Sequence, residues 1–334
     1  MSIFSKNLRE FSKNKSILVT GGTGSFGTKF IEHLRNSFEF RRIIVFSRDE
    51  LKQFEMKQSI GPDERLRWFI GDIRDQDRLY RALNNVDVVV HAAALKQVDT
   101  AEQNPSEFVK TNVLGSQNLI EASIDANVKR VVALSTDKAS SPINLYGATK
   151  LTADKLFISA STYAGAQDTK FSVVRYGNVF GSRGSVAPYF SKLKKTGLKL
   201  TVTDIEMTRF WLTLQEAISM VTLALTEMNG GELYVPKIPS IRILDLVEAF
   251  NMTNNYVVTG IRPGEKLHEE MISLEESRRC WEQDKHYILY NNEIDEKSTK
   301  GRKSVESFSY SSGTNQHFLT VEEIRSQLSS TGLL

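Results

Sequence analysis

The chain has 334 residues, 40% of them apolar and 25% charged, the composition of an ordinary globular protein with room for one large domain or two of common size. A formal charge of only +3, from 43 basic and 40 acidic residues, excludes a broad electrostatic footprint for nucleic acid and leaves local cationic clusters around an anionic ligand. Cys280 is the single cysteine, which excludes an internal disulfide and a cysteine metal cluster, and no apolar run reaches the roughly 18 residues of a membrane span.

In chain order, "MSIFSKNLREFSKNK" is polar and basic with scattered Ile3, Phe4, Leu8 and Phe11. It lacks the apolar core of a signal peptide, and its spacing predicts a short amphipathic arm packed on its own protein. Apolar, β-branched runs then predict strands at 16–20, 42–47, 66–72, 86–94, 128–135 and 171–178, with helical periodicity between them, clearest at 105–126 and 145–163. Strands alternating with helices predict an α/β fold: a doubly wound parallel sheet of Rossmann type, covered on both faces. After 178 the pattern loosens into loop and helix, a helical run at 212–228, a strand at 231–236 and a charged Gly/Pro turn at 260–271. The polar tail 291–316 reads as a surface excursion. The expected division is 1–178 for a dinucleotide and 179–334 mainly for substrate, with 208–236 returning to the core.

"VTGGTGSFG" ends the first strand and opens a helix. Gly21, Gly24 and Gly27 permit a tight turn and the approach of a pyrophosphate to the helix N-terminus. The second strand ends in Ser47 and Arg48, and the acid comes only at Asp49. A guanidinium meets a 2′-phosphate bidentately, so NADP is expected over NAD. Asp72 in "GDIRD" is placed to hold the adenine amino group, and Ala92, Ala93 and Ala94 after the fourth strand leave space beside the cofactor. His91 is expected to pack beneath the sheet end.

Tyr146 and Lys150 stand one helical turn apart in "YGATK". A tyrosine serving as base near neutrality needs its pKa lowered by roughly three units, about 4 kcal/mol, and Lys150 is the expected cation. Thr136, at the preceding strand end, can hydrogen-bond a substrate hydroxyl. Asp137 and Lys138 follow it, a pairing that a simple alcohol oxidation does not need. A neutral Lys138 could act as a second base if burial or neighbouring cations lowered its pKa.

The glycine loop, "HAAA", "ST" and "YGATK" resemble the extended short-chain dehydrogenase/reductase superfamily. More narrowly, "SRDELKQ", "STDKA", "INLYGATK", "VVRYGNVFGSRGSV", "MTRFW" and "GIRPGEKLHE" resemble the inverting UDP-N-acetylglucosamine 4,6-dehydratases, which begin pseudaminic acid synthesis for flagellin glycosylation. The resemblance spans about 16–275 and departs at Gln97, Val98 and Asp99, where His-Val-Pro is usual. It implies that Tyr146 takes the C4 hydroxyl proton as NADP takes the C4 hydride, that Asp137 is the acid for the departing C6 hydroxyl and Lys138 the C5 base, and that the hydride returns to C6. It extends the cofactor set to Thr23, Ser25, Phe26, Lys52 and Ile73, and further to Lys96, Thr111, Asn112 and Val179. For the substrate it implies Arg183, Arg209 and Arg262 on the diphosphate, Lys96 and Asn178 near the sugar, and Glu265 on ribose hydroxyls. His268, His286 and Cys280 are expected to be structural. A cytoplasmic homo-oligomer without metal is implied. A UDP-sugar C4 epimerase or capsule-synthesis dehydratase is the alternative, and a non-catalytic NADP sensor a distant one.

Overall fold

The apolar runs form the strands β1 (Ser16–Thr20), β2 (Arg42–Ser47), β3 (Leu66–Ile70), β4 (Val88–His91), β5 (Arg130–Leu134) and β6 (Lys170–Val174), all but the edge strand β3 buried on both faces. The computed structural model describes residues 3–165, 168–182, 184–290, 302–303 and 307–334. The six strands pair in parallel in the order β3-β2-β1-β4-β5-β6. Val88, Val89 and Val90 are at most 1% exposed, and each such side chain contributes roughly 1.5–3 kcal/mol by leaving water. Strand order reverses between β1 and β4, which opens a crevice at their carboxyl ends, the usual ligand position in such sheets.

Beyond β6 the sheet continues. Glu232–Pro236 adds in parallel, and His286–Tyr290, Cys280–Glu282 and Arg302–Lys303 add antiparallel. The helix Leu214–Glu227, started by a Thr213–Glu216 capping box, packs on β5 and β6. Between these returns lies Thr208–Leu212, in a small sheet with Asn178–Val179 and Ser240–Arg242. Alternation splits this strand between two cores: Phe210 and Leu212 join the main one, whereas Trp211, with Met207 just before the strand, joins a second with Phe180, Phe190 and Phe250.

Several elements differ from expectation. The helical run at 105–126 is three pieces, Pro105–Phe108, a π-turn Val109–Leu114 and Gly115–Asp125. The 171–178 run stops at Val174, and Asn178–Val179 pairs instead with the small sheet. Part of the tail is not a surface excursion: Tyr310 donates its hydroxyl to Ile238 O (3.0 Å), and Ser312 is fully buried. The pairing of Tyr310–Ser311 with Glu270–Ile272 draws this segment in. Residues 291–301 and 304–306 of that tail lie outside the described residues. At the N-terminus the helix Ile3–Ser12 buries Leu8 and sets Phe11 edge-on against Phe40.

Candidate active site

A cavity of about 1070 Å³ runs from the glycine loop at the end of β1 to the loop before Glu270–Ile272. Its floor at one end is backbone. Gly21 has φ +63°, and a Cβ there would lie 2.8 Å from the Ala92 carbonyl carbon and the Ala93 nitrogen. A Cβ at Gly27 would stand 2.5 Å from Gly21 O. Only glycine leaves this cradle open, and Gly24 caps the helix Ser25–Ser37 without a side-chain bond that would close it. Such a cradle fits a dinucleotide pyrophosphate.

Thr23, Ser25, Phe26, Lys52, Ala92, Ala93, Lys96 and Val179 also line the cavity. Ser47 lies just behind, bonded to Thr23 (2.8 Å). Asp49 is occupied as a helix cap, accepting from Lys52 N (3.0 Å) and pairing with Lys52 Nζ (2.7 Å). The Arg48 guanidinium, 53% exposed, stands 3.6 Å from Asp72. Burial opposes the charged form of Asp72, but Arg74, at 2.7 Å, outweighs it and holds the carboxyl below its usual range. Ile73, Thr111 and Asn112 do not line the cavity; Ile73 is core. Asn112, in the π-turn, accepts from Leu95 N and donates to Leu95 O (both 2.9 Å), holding the loop after β4. His91 packs beneath the sheet end: its Nδ1 lies 2.8 Å from the Thr20 hydroxyl, and burial pushes its pKa down to about 3.

At the other end, β5 leads into the 3₁₀ turn Asp137–Ala139, capped by Thr136. The helix Leu145–Tyr163 begins directly against this turn. Asn144 accepts from Gly147 N (2.7 Å), and a Cβ at Gly147 would strike the Lys138 carbonyl. This close approach puts Tyr146, Thr136 and Lys138 on one wall of the cavity, with Asp137 buried behind them. Lys138 Nζ pairs with Asp137 Oδ1 at 3.0 Å and with Glu269 Oε1 at 2.9 Å. Burial disfavours the ammonium, but the two carboxylates outweigh it and hold its pKa above the ordinary lysine value. This is the reverse of the lowering that burial or neighbouring cations were expected to give Lys138: its nearest partners are anions.

Lys150, the cation expected beside Tyr146, also lines the cavity. Burial lowers its pKa, partly offset by Asp154, and its amine donates to Leu134 O (2.7 Å). Tyr146 is pushed up to about 12 by burial, and the opposing influences are the Lys138 charge and a bond with the Thr136 hydroxyl. The nearby cation that favours the phenolate is therefore Lys138 first. Asp137 is raised by burial and by Glu269, against the pull of Lys138.

On the substrate side, Lys96, Asn178, Arg209, Arg262 and Glu265 line the cavity, while Arg183 lies outside the described residues. Arg209 is buried, donating to Thr208 O (2.7 Å) and Leu267 O (3.0 Å). Glu265 receives Arg262 in two bonds of 3.1 Å and Arg209 at 3.4 Å. Asp99, at the departure from the usual His-Val-Pro, pairs with Arg262 at 3.4 Å across the cavity mouth. Sequence reasoning missed Glu269. The "HEE" after "RPGEK" offers a carboxylate, but nothing in its spacing points to Lys138, which lies more than a hundred positions away.

The family model "Polysaccharide biosynthesis protein" matches residues 17–291. The chain is 48% identical over 93% of its length, and 96% of the relative's, to a UDP-N-acetylglucosamine 4,6-dehydratase (inverting) of Campylobacter jejuni. The chain belongs to this polysaccharide biosynthesis family. A UDP-glucose 4-epimerase of Rickettsia rickettsii is 37% identical over 94% of this chain and 95% of its own. Among solved structures, Pen from Bacillus thuringiensis matches with TM-score 0.89 and 38% identity over 97% of this chain and 99% of its own. DesIV, a dTDP-glucose 4,6-dehydratase from Streptomyces venezuelae with NAD and TYD bound, matches with TM-score 0.68 and 26% identity over 75% and 86%. Membership fits the α/β fold, the mainly parallel sheet and the cavity at its switch point. Among the described residues, no helix is long and apolar enough to cross a membrane, and no group of three or more His, Cys, Asp or Glu is arranged for a metal ion.

Proposed function

We propose that this chain is a UDP-N-acetylglucosamine 4,6-dehydratase that inverts C5. The observation that carries the reading is the Asp137–Lys138 turn packed against Tyr146 on one cavity wall. Epimerisation at C4 needs one proton acceptor at C4. Dehydration needs in addition a base for C5 and an acid for the C6 oxygen, and this wall supplies both types beside the tyrosine.

A nicotinamide dinucleotide bound on the glycine cradle supplies the hydride acceptor and donor. NADP is the favoured form, because Arg48 presents an exposed guanidinium at the end of β2 and Asp49 is spent as a helix cap. The NAD bound to DesIV is the counter-case.

Tyr146 accepts the C4 hydroxyl proton. A pKa of about 12 places the phenolate about five units, or about 7 kcal/mol, above neutral pH. The Thr136 hydroxyl reduces that cost, and the positive charge of a bound oxidised nicotinamide would reduce it further. The C4 ketone acidifies C5–H, and Lys138 is the base that removes it. Asp137, whose raised pKa favours the acid form, protonates the leaving C6 hydroxyl. Arg209 and Arg262 face the diphosphate, Lys96 and Asn178 the sugar, and Glu265 the ribose once Arg262 turns to phosphate. Residues 1–178 serve the cofactor and 179–334 mainly the substrate, with 208–236 shared. Entry of the product into pseudaminic acid synthesis for flagellin, a cytoplasmic setting and a homo-oligomeric state follow the family resemblance.

The test is incubation with UDP-N-acetylglucosamine followed by proton NMR. The expected product carries a new C6 methyl and inverted C5, without net cofactor reduction. A C4 epimer that keeps its C6 hydroxymethyl group would make the chain an epimerase.

A further inference from the structure

Lys138 must be neutral to take a proton from C5, yet the site holds it as an ammonium against the Glu269 carboxylate at 2.9 Å, with the Asp137 carboxyl group on its other side at 3.0 Å. Its proton therefore needs somewhere to go. Release to water is poorly served, because the lysine side chain is only 22% exposed and its two partners 1% and 3%. Asp137 cannot both take that proton and enter turnover as a protonated acid without a second proton.

Glu269 has the remaining capacity. Its Oε1 lies 2.9 Å from Lys138 Nζ, and its Oε2 is buried with no hydrogen-bond partner. Its backbone is fixed from two sides, with N donating to Ser312 Oγ (2.9 Å) and O accepting from Ser312 N (2.8 Å). The charged and titratable groups around it are Asp137 and Lys138 on the 3₁₀ turn, Tyr146 on the following helix, Arg209 on Thr208–Leu212, and Glu265, Lys266 and His268 on its own loop.

We propose that Glu269 is a positioning residue that receives the Lys138 proton, and that the substrate diphosphate triggers the transfer through Arg209. This rests on the dehydratase reading above. The Nζ–H bond of Lys138 breaks and an O–H bond forms on Glu269 Oε1; the group keeps its total of protons and nothing is oxidised or reduced. Arg209 Nε, 4.0 Å from Glu269 Oε1, opposes protonation of the carboxylate in the resting site. A diphosphate at Arg209 neutralises that guanidinium and raises the proton affinity of Glu269. Lys138 then faces C5 neutral, and Asp137 keeps its own proton for the C6 oxygen. The burial that raises Asp137 and the cations that lower Glu269 in the resting site accord with this division.

Glu269→Gln keeps the size and polarity but cannot take the proton. Its kcat falls on the order of a hundredfold at neutral pH. The slope of log kcat against pH also changes. The wild type is flat across neutrality, because the proton moves within the site. In the variant the proton must leave to water, so kcat rises about tenfold per pH unit until Lys138 titrates. Glu269→Asp restores a flat profile at a lower rate. A flat profile in Glu269→Gln would identify Asp137 as the acceptor and overturn the proposal.

An infrared arm reads the proton without turnover or the glutamine variant. Adding UDP to the wild-type holoenzyme is expected to create a protonated-carboxyl band that persists in Asp137→Asn. No new band on saturation with UDP, or a new band lost in Asp137→Asn, would also overturn it. A wild type that leaves UDP-N-acetylglucosamine untouched while the UDP band appears as expected would sink the dehydratase reading but not the proton acceptor.

Discussion

The two ends of the cavity are built by different means. At the glycine loop the site is backbone: Gly21, Gly24 and Gly27 shape a surface whose chemistry is the N–H groups of one short segment. At the Lys138 end it is side chains from four distant segments, with Asp137 and Lys138 on the turn after β5, Tyr146 on the next helix, Arg209 on Thr208–Leu212 and Glu269 near the C-terminal third. The first end needs open space and fixed dipoles. The second needs charges whose proton affinities are set by one another. Substitution at the first should change what binds and at the second should change how protons move.

The largest expected effect sharpens this contrast at the proton-moving end. Tyr146→Phe should lower kcat by on the order of a thousandfold or more while leaving cofactor affinity near that of the wild type. Single-turnover reduction of bound cofactor would check it, and a tenfold loss or less would remove Tyr146 from the C4 step. Next, Gly147→Ala tests whether backbone also serves the second end. Its methyl meets the Lys138 carbonyl, so the turn and helix must part, and kcat should fall on the order of a hundredfold with Tyr146 and Lys138 intact. Near-normal turnover would mean that the contact does not set the geometry.

At the backbone end, Arg48→Ala should weaken NADP by about tenfold or more, from loss of charge-assisted bonds, with little change for NAD. Calorimetric titration of both cofactors decides this, and equal loss for both would mean that Arg48 does not read the 2′-phosphate. A pH measurement probes the same end. His91 is held neutral by burial, with a folded pKa of about 3 against about 6.5 unfolded. The unfolded state binds the extra proton, so stability is full above about pH 6.5 and declines as pH falls toward 3. Denaturant unfolding should find His91→Gln less sensitive to pH between 6.5 and 4 than the wild type, by about a few kcal/mol at most. The same pH slope in both would assign that loss elsewhere. The smallest effect is expected for Ser312→Ala, which removes the hydroxyl that accepts from Glu269 N. Stability should drop by about 1 kcal/mol and kcat several-fold. No change in either would separate the C-terminal segment from catalysis.

What could be read in one dimension follows from locality. The five inner parallel strands announce themselves as mainly apolar β-branched runs, because burial on both faces leaves few polar positions, whereas the edge strand β3 keeps Arg67 exposed. The helix at 145–163 starts and stops where its periodicity does, and its Asn144 cap stands next to the first turn it serves. The glycine loop is legible for the same reason: turn, strand end and helix start are contiguous. Harder to read were elements whose form depends on a distant partner. The run at 105–126 looks like one helix, but Asn112 must reach Leu95 across the sheet end, and a π-turn accommodates it. The tail near Tyr310 looks polar and loose until its pairing with Glu270–Ile272 buries it.

The sequence by itself determined the doubly wound core, the cradle for a dinucleotide and the residue types of the reaction, since each is carried by short segments whose spacing follows strand and helix periods. Tertiary structure alone decided the charges. Lys138 is an ammonium because Glu269 lies 2.9 Å away, and Lys150 spends its amine on Leu134 O. A proton's position depends on burial and on ångström distances between groups remote in the chain, and neither is a property of any short stretch of sequence.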